Sequence, residues 1–165
     1  MKILNNEIKR YIGNILLNEN DIRNYDLSNL VTYVSQNETL FDDTLYNNLC
    51  LGVEIREEDI NRVISVCRLN KLKLELHSAI INNDILSGGE RNRVILARSL
   101  LHSKNIIILD EVLKEVDYDL EVDIIRDILK YFSEKTIIYI SHKDVGYLFN
   151  NVLTLGKEND YGVRK

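Results

Sequence analysis

One stretch in the second half of the chain, from Leu86-Ser87-Gly88-Gly89-Glu90 to Ile106-Ile107-Ile108-Leu109-Asp110-Glu111, leaves few folds open. It predicts a glycine turn, a helix, a short polar turn, and a buried strand ending in two carboxylates. Ser87 followed three residues later by Glu90 is the capping-box pattern, so a helix begins here with Ser87 as its N-cap. Gly88 and Gly89 beside that cap let a large anion approach the backbone, where the helix's unpaired N–H groups and positive dipole end face it. Ile106 to Leu109 is a continuous apolar run, as expected of a parallel strand covered on both faces. Asp110 and Glu111 then fall at the strand's carboxyl end, where open α/β sheets place their ligand crevice.

Leu86 to Glu90 resembles the signature motif of ABC-type ATPases, and Ile106 to Glu111 resembles the Walker B strand that follows it at this spacing. Either alone is weak; the pair, joined by an arginine-containing helix of matching length, is specific. The resemblance implies an α/β fold, a three-layer P-loop NTPase-like core with an inserted helical subdomain. It implies ATP and Mg2+ as cofactors, with Asp110 holding the magnesium and Glu111 acting as general base toward the attacking water. Val31-Thr32-Tyr33-Val34 is a further apolar run, and the Ser35-Gln36 after it matches the Q-loop, whose glutamine approaches the magnesium and the water. Thr136 to Ile140 is a second buried strand ending in Ser141-His142. This matches the H-loop, in which His142 contacts the γ-phosphate; a purely structural histidine is the ordinary alternative. Val112 to Asp117 corresponds to the D-loop, but only Asp117 matches, because Val-Leu-Lys-Glu-Val stands where the family has small residues.

The resemblance also implies partners. In the family's head-to-tail dimer, Ser87, Gly88, Gly89 and Glu90 would cap ATP held by a second ABC ATPase domain. Thr39-Leu40-Phe41 and the Thr44 to Leu49 segment resemble the exporter branch, where this region grips the coupling helices of a transmembrane domain through Leu40, Phe41 and their neighbours. The alternative is an ordinary loop–helix junction with Phe41 in the core. The expected location is cytoplasmic, peripheral to the inner face of the cell membrane through that partner. The expected division is 1–36 (end of the P-loop helix, β-rich segment and Q-loop), 37–86 (helical subdomain), and 87–165 (signature, Walker B, D-loop, H-loop and C-terminal strand).

Elsewhere the pattern is plainer. Met1 to Ile8 reads as the end of a helix. Ile15-Leu16-Leu17 and Ile22 suggest short strands around the polar Asn18 to Asp21 turn. Glu57-Glu58-Asp59 place acids in a first helical turn, complementing its dipole, and Ile60, Val63, Ile64 and Cys67 recur at helical spacing. Leu69 to Leu76 reads as another short helix, and Leu120 to Phe132 as a longer amphipathic one. His77 and His102 read as surface residues. Cys50 and Cys67 lack metal or redox spacing, so buried, reduced thiols are expected. Val152 to Leu155 suggests a last strand, and the polar residues from Lys157 onward are expected to be loosely held.

At 165 residues, with 45% apolar and 28% charged residues, the chain suits one soluble domain with a sizeable core. A net charge of −5 argues against a nucleic-acid footprint. Apolar runs fall far short of the about 20 residues that span a bilayer.

A Gly-x-x-x-x-Gly-Lys-Ser/Thr loop is not found in these residues; the only Gly-Lys pair, Gly156-Lys157, has Asn151 and Glu158 where the motif needs glycine and a hydroxyl. The expectation is therefore an N-terminally truncated ATPase core, its P-loop strand missing and its neighbours' apolar faces open. Its own ATPase activity is expected to be absent, since the phosphate cradle and its lysine carry that chemistry. Three functions follow: the C-terminal portion of an exporter's ATP-hydrolysing domain; a non-catalytic fragment donating its signature motif to an intact partner; or an inert truncation product. Chromosome-maintenance and repair ATPases also end their signature in Glu, but they insert long coiled-coil arms between Q-loop and signature, and no sustained heptad appears between Gln36 and Ser87.

Overall fold

The computed structural model describes residues 12–35, 38–155 and 161–164. The expected helix end at Met1 to Ile8, and Gln36, lie outside the described residues. The chain enters through a hairpin of β1 (Leu16–Leu17) and β2 (Asn20–Asp21). Asn18 and Glu19 turn it at φ 50° and 67°, the left-handed pair whose twist suits a two-residue connection. Ile22 is not a strand residue, as the alternation suggested; it opens a single 3₁₀ turn because Asp21 caps that turn, accepting from the backbone N–H of Arg23.

β3 (Val31–Ser35) follows, then β4 (Asp43–Thr44), α1 (Leu45–Cys50), α2 (Glu57–Val66) and β5 (Ile80–Ile81). α3 (Gly88–Leu101), β6 (Ile106–Asp110), α4 (Tyr118–Tyr131), β7 (Thr136–Ile140), β8 (Val152–Leu155) and β9 (Tyr161–Arg164) complete the order. β3, β6 and β7 form a parallel sheet with β6 in the middle. Its register aligns Ser35, Asp110 and Ile140 at the carboxyl ends of all three strands. Ile107, Ile108 and Leu109 are fully or almost fully buried, each contributing roughly 1.5–3 kcal/mol of transfer free energy. That is why β6 carries no alternation. β7 is only half-buried along Ile137 to Ile140.

α3 is buried nearly all round. Val94, Ile95, Leu96 and Ala97 have no exposed surface, and they join α1, α2 and the sheet in one core. α2 buries Ile60, Val63 and Val66; of the expected stripe Ile60 and Val63 are in place, Ile64 is only partly buried, and buried Cys67 ends the helix. The two thiols are free and buried as expected, and burial pushes the Cys67 thiol well above its ordinary range.

Three further expectations need correction, and one pairing was not foreseen. The helix predicted over Leu69 to Leu76 is one 3₁₀ turn, Leu69–Leu72, bracketed by Arg68 and Lys73 in left-handed conformations that an α-helix cannot contain. β4 and β5 pair antiparallel, Thr44 with Ile80 and Asp43 with Ile81, a small sheet that two-residue strands do not announce. His102 is no bystander: it closes the C-terminus of α3, and its Nε2 lies 2.9 Å from the carbonyl of Leu49. The tail beyond Lys157 is not loose throughout, because Tyr161–Arg164 pairs antiparallel with Val152–Leu155. Among the described residues no helix is long and apolar enough to cross a membrane.

Candidate nucleotide site

Two groups of predicted residues take shape, one at the carboxyl edge of the sheet and one at the start of α3. At the sheet edge, Asp110 ends β6 and Glu111 turns the chain at φ 52°, its N–H donating to the carbonyl of Ile140 at 3.1 Å. That bond ties the acidic turn to the end of β7, immediately before Ser141-His142. As a result His142 Nε2 stands 2.7 Å from Glu111 Oε1, while Lys114 Nζ approaches Glu111 Oε2 at 3.5 Å. Glu111 and His142, both singled out in the sequence, thus lie together. Ser35, the residue before Gln36, is Asp110's register partner.

Sequence reasoning missed Tyr33. Its hydroxyl donates to Asp110 Oδ2 at 2.5 Å. The signal was present: Tyr33 lies two residues before Ser35, so strand periodicity puts it on the face that carries Asp110 across the ladder. Among the described residues no three His, Cys, Asp or Glu side chains gather into a metal cage. A lone hard carboxylate fits Mg2+, which takes one or two such ligands and completes its shell with phosphate and water.

At the start of α3 the capping box is complete. Glu90 Oε2 accepts from the Ser87 N–H at 3.0 Å and from its hydroxyl at 2.8 Å, and Ser87 Oγ accepts from the Glu90 N–H at 3.4 Å. The hydroxyl and N–H of Ser87 hold the Glu90 carboxyl below its ordinary value. Gly88 and Gly89 stand at the first helical positions, whose N–H groups have no intrahelical partner. Behind them passes the 111–117 loop. A Cβ on Gly88 would fall 1.5 Å from the Glu115 carboxylate, and one on Gly89 would fall 2.8 Å from the Glu115 carbonyl oxygen. Gly89 is therefore needed for this approach, whereas at Gly88 only the Glu115 side chain would have to turn away. A concavity of about 360 Å³ opens here, lined by Ser87 to Glu90, Arg93 and Glu115 to Asp117 with Leu120. Neither Glu111 nor His142 lines this concavity; the 111–117 loop runs from one group to the other. Asp117 begins α4 without a side-chain capping bond.

Phe41 is 57% exposed and Leu40 only 5%. Of that pair Phe41 alone offers surface, and Leu40 belongs to the core.

The family model described as ABC transporter matches residues 1–114. The chain is 33% identical to the Microcin-J25 export ATP-binding/permease protein McjD of Escherichia coli, over 97% of this chain and 30% of that protein. It is 36% identical to the mitochondrial iron-sulfur clusters transporter ATM1 of Candida glabrata, over 79% of this chain and 20% of that protein. It is likewise 36% identical to the ATP-dependent lipid A-core flippase of Vibrio parahaemolyticus, over 79% of this chain and 24% of that protein. The chain thus spans less than a third of the length of these curated relatives. A bacterial Atm1-family ABC exporter solved with ATP bound superposes with a TM-score of 0.81 at 24% identity, over 94% of this chain and 29% of that one, a likeness of fold. The chain belongs to the ABC transporter family, as an exporter-type nucleotide-binding domain.

Proposed function

We propose that the chain supplies catalytic and dimer-contacting elements of an ABC exporter's ATPase, coupling ATP hydrolysis to transport in the whole protein. The observation that carries this reading is the 2.7 Å approach of Glu111 and His142 at the carboxyl end of the parallel sheet, one residue from Asp110. When bound, MgATP supplies the phosphoanhydride to be cleaved and the cation that offsets its charge. Asp110 would hold the magnesium. Glu111 accepts the proton of the attacking water, and His142, 84% exposed on its side chain, is free to swing from Glu111 toward a γ-phosphate. Gln36 orders the water and the metal. Ser87, Gly88, Gly89 and Glu90 face ATP bound to a second ATPase domain, with Asp117 in the contact between the two.

In this reading residues 37–86 are the helical subdomain and meet the transmembrane partner's coupling helices through exposed Phe41, which places the domain at the inner face of the membrane. The test is MgATP turnover by the intact protein. Glu111→Gln is expected to lower kcat by about 10²–10⁴-fold while nucleotide binding persists; unchanged turnover would reject the assignment.

A second reading has its own support. These 165 residues hold the signature corner with its open concavity but no phosphate-cradling glycine loop. In this reading the chain caps ATP on an intact partner domain, and adding it should tighten that domain's ATP affinity. No change in affinity would end this version.

A further inference from the structure

One buried cluster lies behind both groups of site residues, and neither the family resemblance nor the proposed mechanism uses it. Glu121 has no exposed surface, though it sits in the first turn of α4. A carboxylate wholly withdrawn from water is costly unless it is paired and hydrogen-bonded, and this one is both. Its Oε1 accepts from the Tyr139 hydroxyl at 2.5 Å and from the Ser141 hydroxyl at 3.4 Å; its Oε2 accepts from Lys143 Nζ at 2.5 Å. Lys143 is the residue after His142. Its ammonium also donates to the carbonyl oxygens of Val116 at 2.6 Å and Leu113 at 3.4 Å. Its own N–H donates to Ser141 Oγ at 3.0 Å, closing the turn that presents His142.

We propose that Lys143 is a positioning residue, whose ammonium clasps the 111–117 loop to the turn after β7 and so keeps Glu111 and His142 at contact distance. The geometry is economical. The loop carries Glu111 at one end and Asp117 at the other, and the clasp grips it between them, at residues 113 and 116. The opposite anchor is itself held, because Glu121 also accepts from Tyr139 of β7 and from Ser141 just after it. Within the loop the Leu113 carbonyl also accepts from the Val116 N–H at 3.0 Å, and a three-donor cation is the group that can gather both carbonyls with a carboxylate. An arginine retains this capacity; an apolar side chain of similar length does not.

The inference rests on the roles given above to Glu111 and His142, and its test separates the two. Hydrogen–deuterium exchange of the full chain is measured without nucleotide. Lys143→Met alone leaves a buried charge unpaired and can unfold the chain, so the deciding variant is Lys143→Met with Glu121→Gln, which removes both charges. Amides of residues 112–117 are expected to exchange about tenfold faster in it or more, while those of Val94 to Leu100 in α3 keep the parent rate. Lys143→Arg should restore slow exchange. In the intact protein the double variant is expected to lose about 10²-fold in kcat for MgATP with KM little changed, as misplacement of a reacting group does, and Lys143→Arg should recover most of it. Unchanged exchange over 112–117, an equal rise in α3, or a kcat loss that Lys143→Arg does not recover would each overturn the clasp. If the parent protein hydrolyses no ATP, the functional reading fails, and the exchange comparison decides the clasp by itself.

Discussion

Glu111 and His142 meet at 2.7 Å while the backbone of Glu111 sits at φ 52°, a conformation L-residues with long side chains rarely adopt. The strain is stored where the carboxylate is aimed. Glu111→Gly should therefore leave stability unchanged or raise it by up to about 1 kcal/mol, because the pairs it loses to exposed His142 and Lys114 contribute little. Turnover should fall as in Glu111→Gln. Urea denaturation checks this, and a loss of more than about 1 kcal/mol would show that the side chain's contacts outweigh the backbone strain.

Gly88 and Gly89 should respond differently to alanine. The Cβ of Gly88→Ala meets the end of a flexible side chain, Glu115, which can rotate away; stability should stay within about 1 kcal/mol of the parent. The Cβ of Gly89→Ala meets the Glu115 backbone carbonyl, which cannot move without the loop. A cost of about 1–3 kcal/mol is expected. Thermal unfolding of the two variants side by side would reverse this ranking if the loop were soft.

The capping box predicts a pH effect with a definite sign. Glu90 has a folded-state pKa below its ordinary 4.5, through the Ser87 hydroxyl and then the Ser87 N–H. Its contribution is present in full above that ordinary value and is lost as pH falls through the lowered one. Unfolding followed from neutral pH into acid should show a steeper decline for the parent chain than for Glu90→Gln. Parallel curves would remove the cap from the account.

Arg93 is 6% exposed and donates to the carbonyls of Cys67 at 3.3 Å and Arg68 at 2.8 Å, where α2 ends. Burial pulls its guanidinium below the ordinary range, against the opposing pull of nearby Glu90. Arg93→Met keeps the stem and abandons the carbonyls. A loss of about 2 kcal/mol is expected, read as a lower urea midpoint with the denaturant slope unchanged. A neutral result would mean that the desolvation of the charge cancels its bonds.

What the sequence disclosed, it disclosed through local chemistry. Ser87 and Glu90 lie three residues apart and make their bonds to each other, so pattern and structure coincide. Asp110 and His142 are placed by apolar runs whose ends are visible in the residues themselves. Leu40 and Phe41 show the opposite case: in a segment without periodicity nothing local decides which of two adjacent apolar residues turns inward. His102 and Lys143 act on residues far away in the chain, and such contacts exist only once the helices and sheet have packed. The helix expected through Leu76 failed because the left-handed backbone at Lys73 carries no compositional mark.

The hydrogen bond from Tyr33 to Asp110 has a further consequence. Adjacent acids at a strand end repel each other. Here a phenol from the neighbouring strand attends one carboxylate, and an imidazole from the other side attends the next. The edge of the sheet is thereby steadied by two different groups on opposite flanks, which in the proposed reading would hold the carboxylate oxygens aimed before a cation arrives.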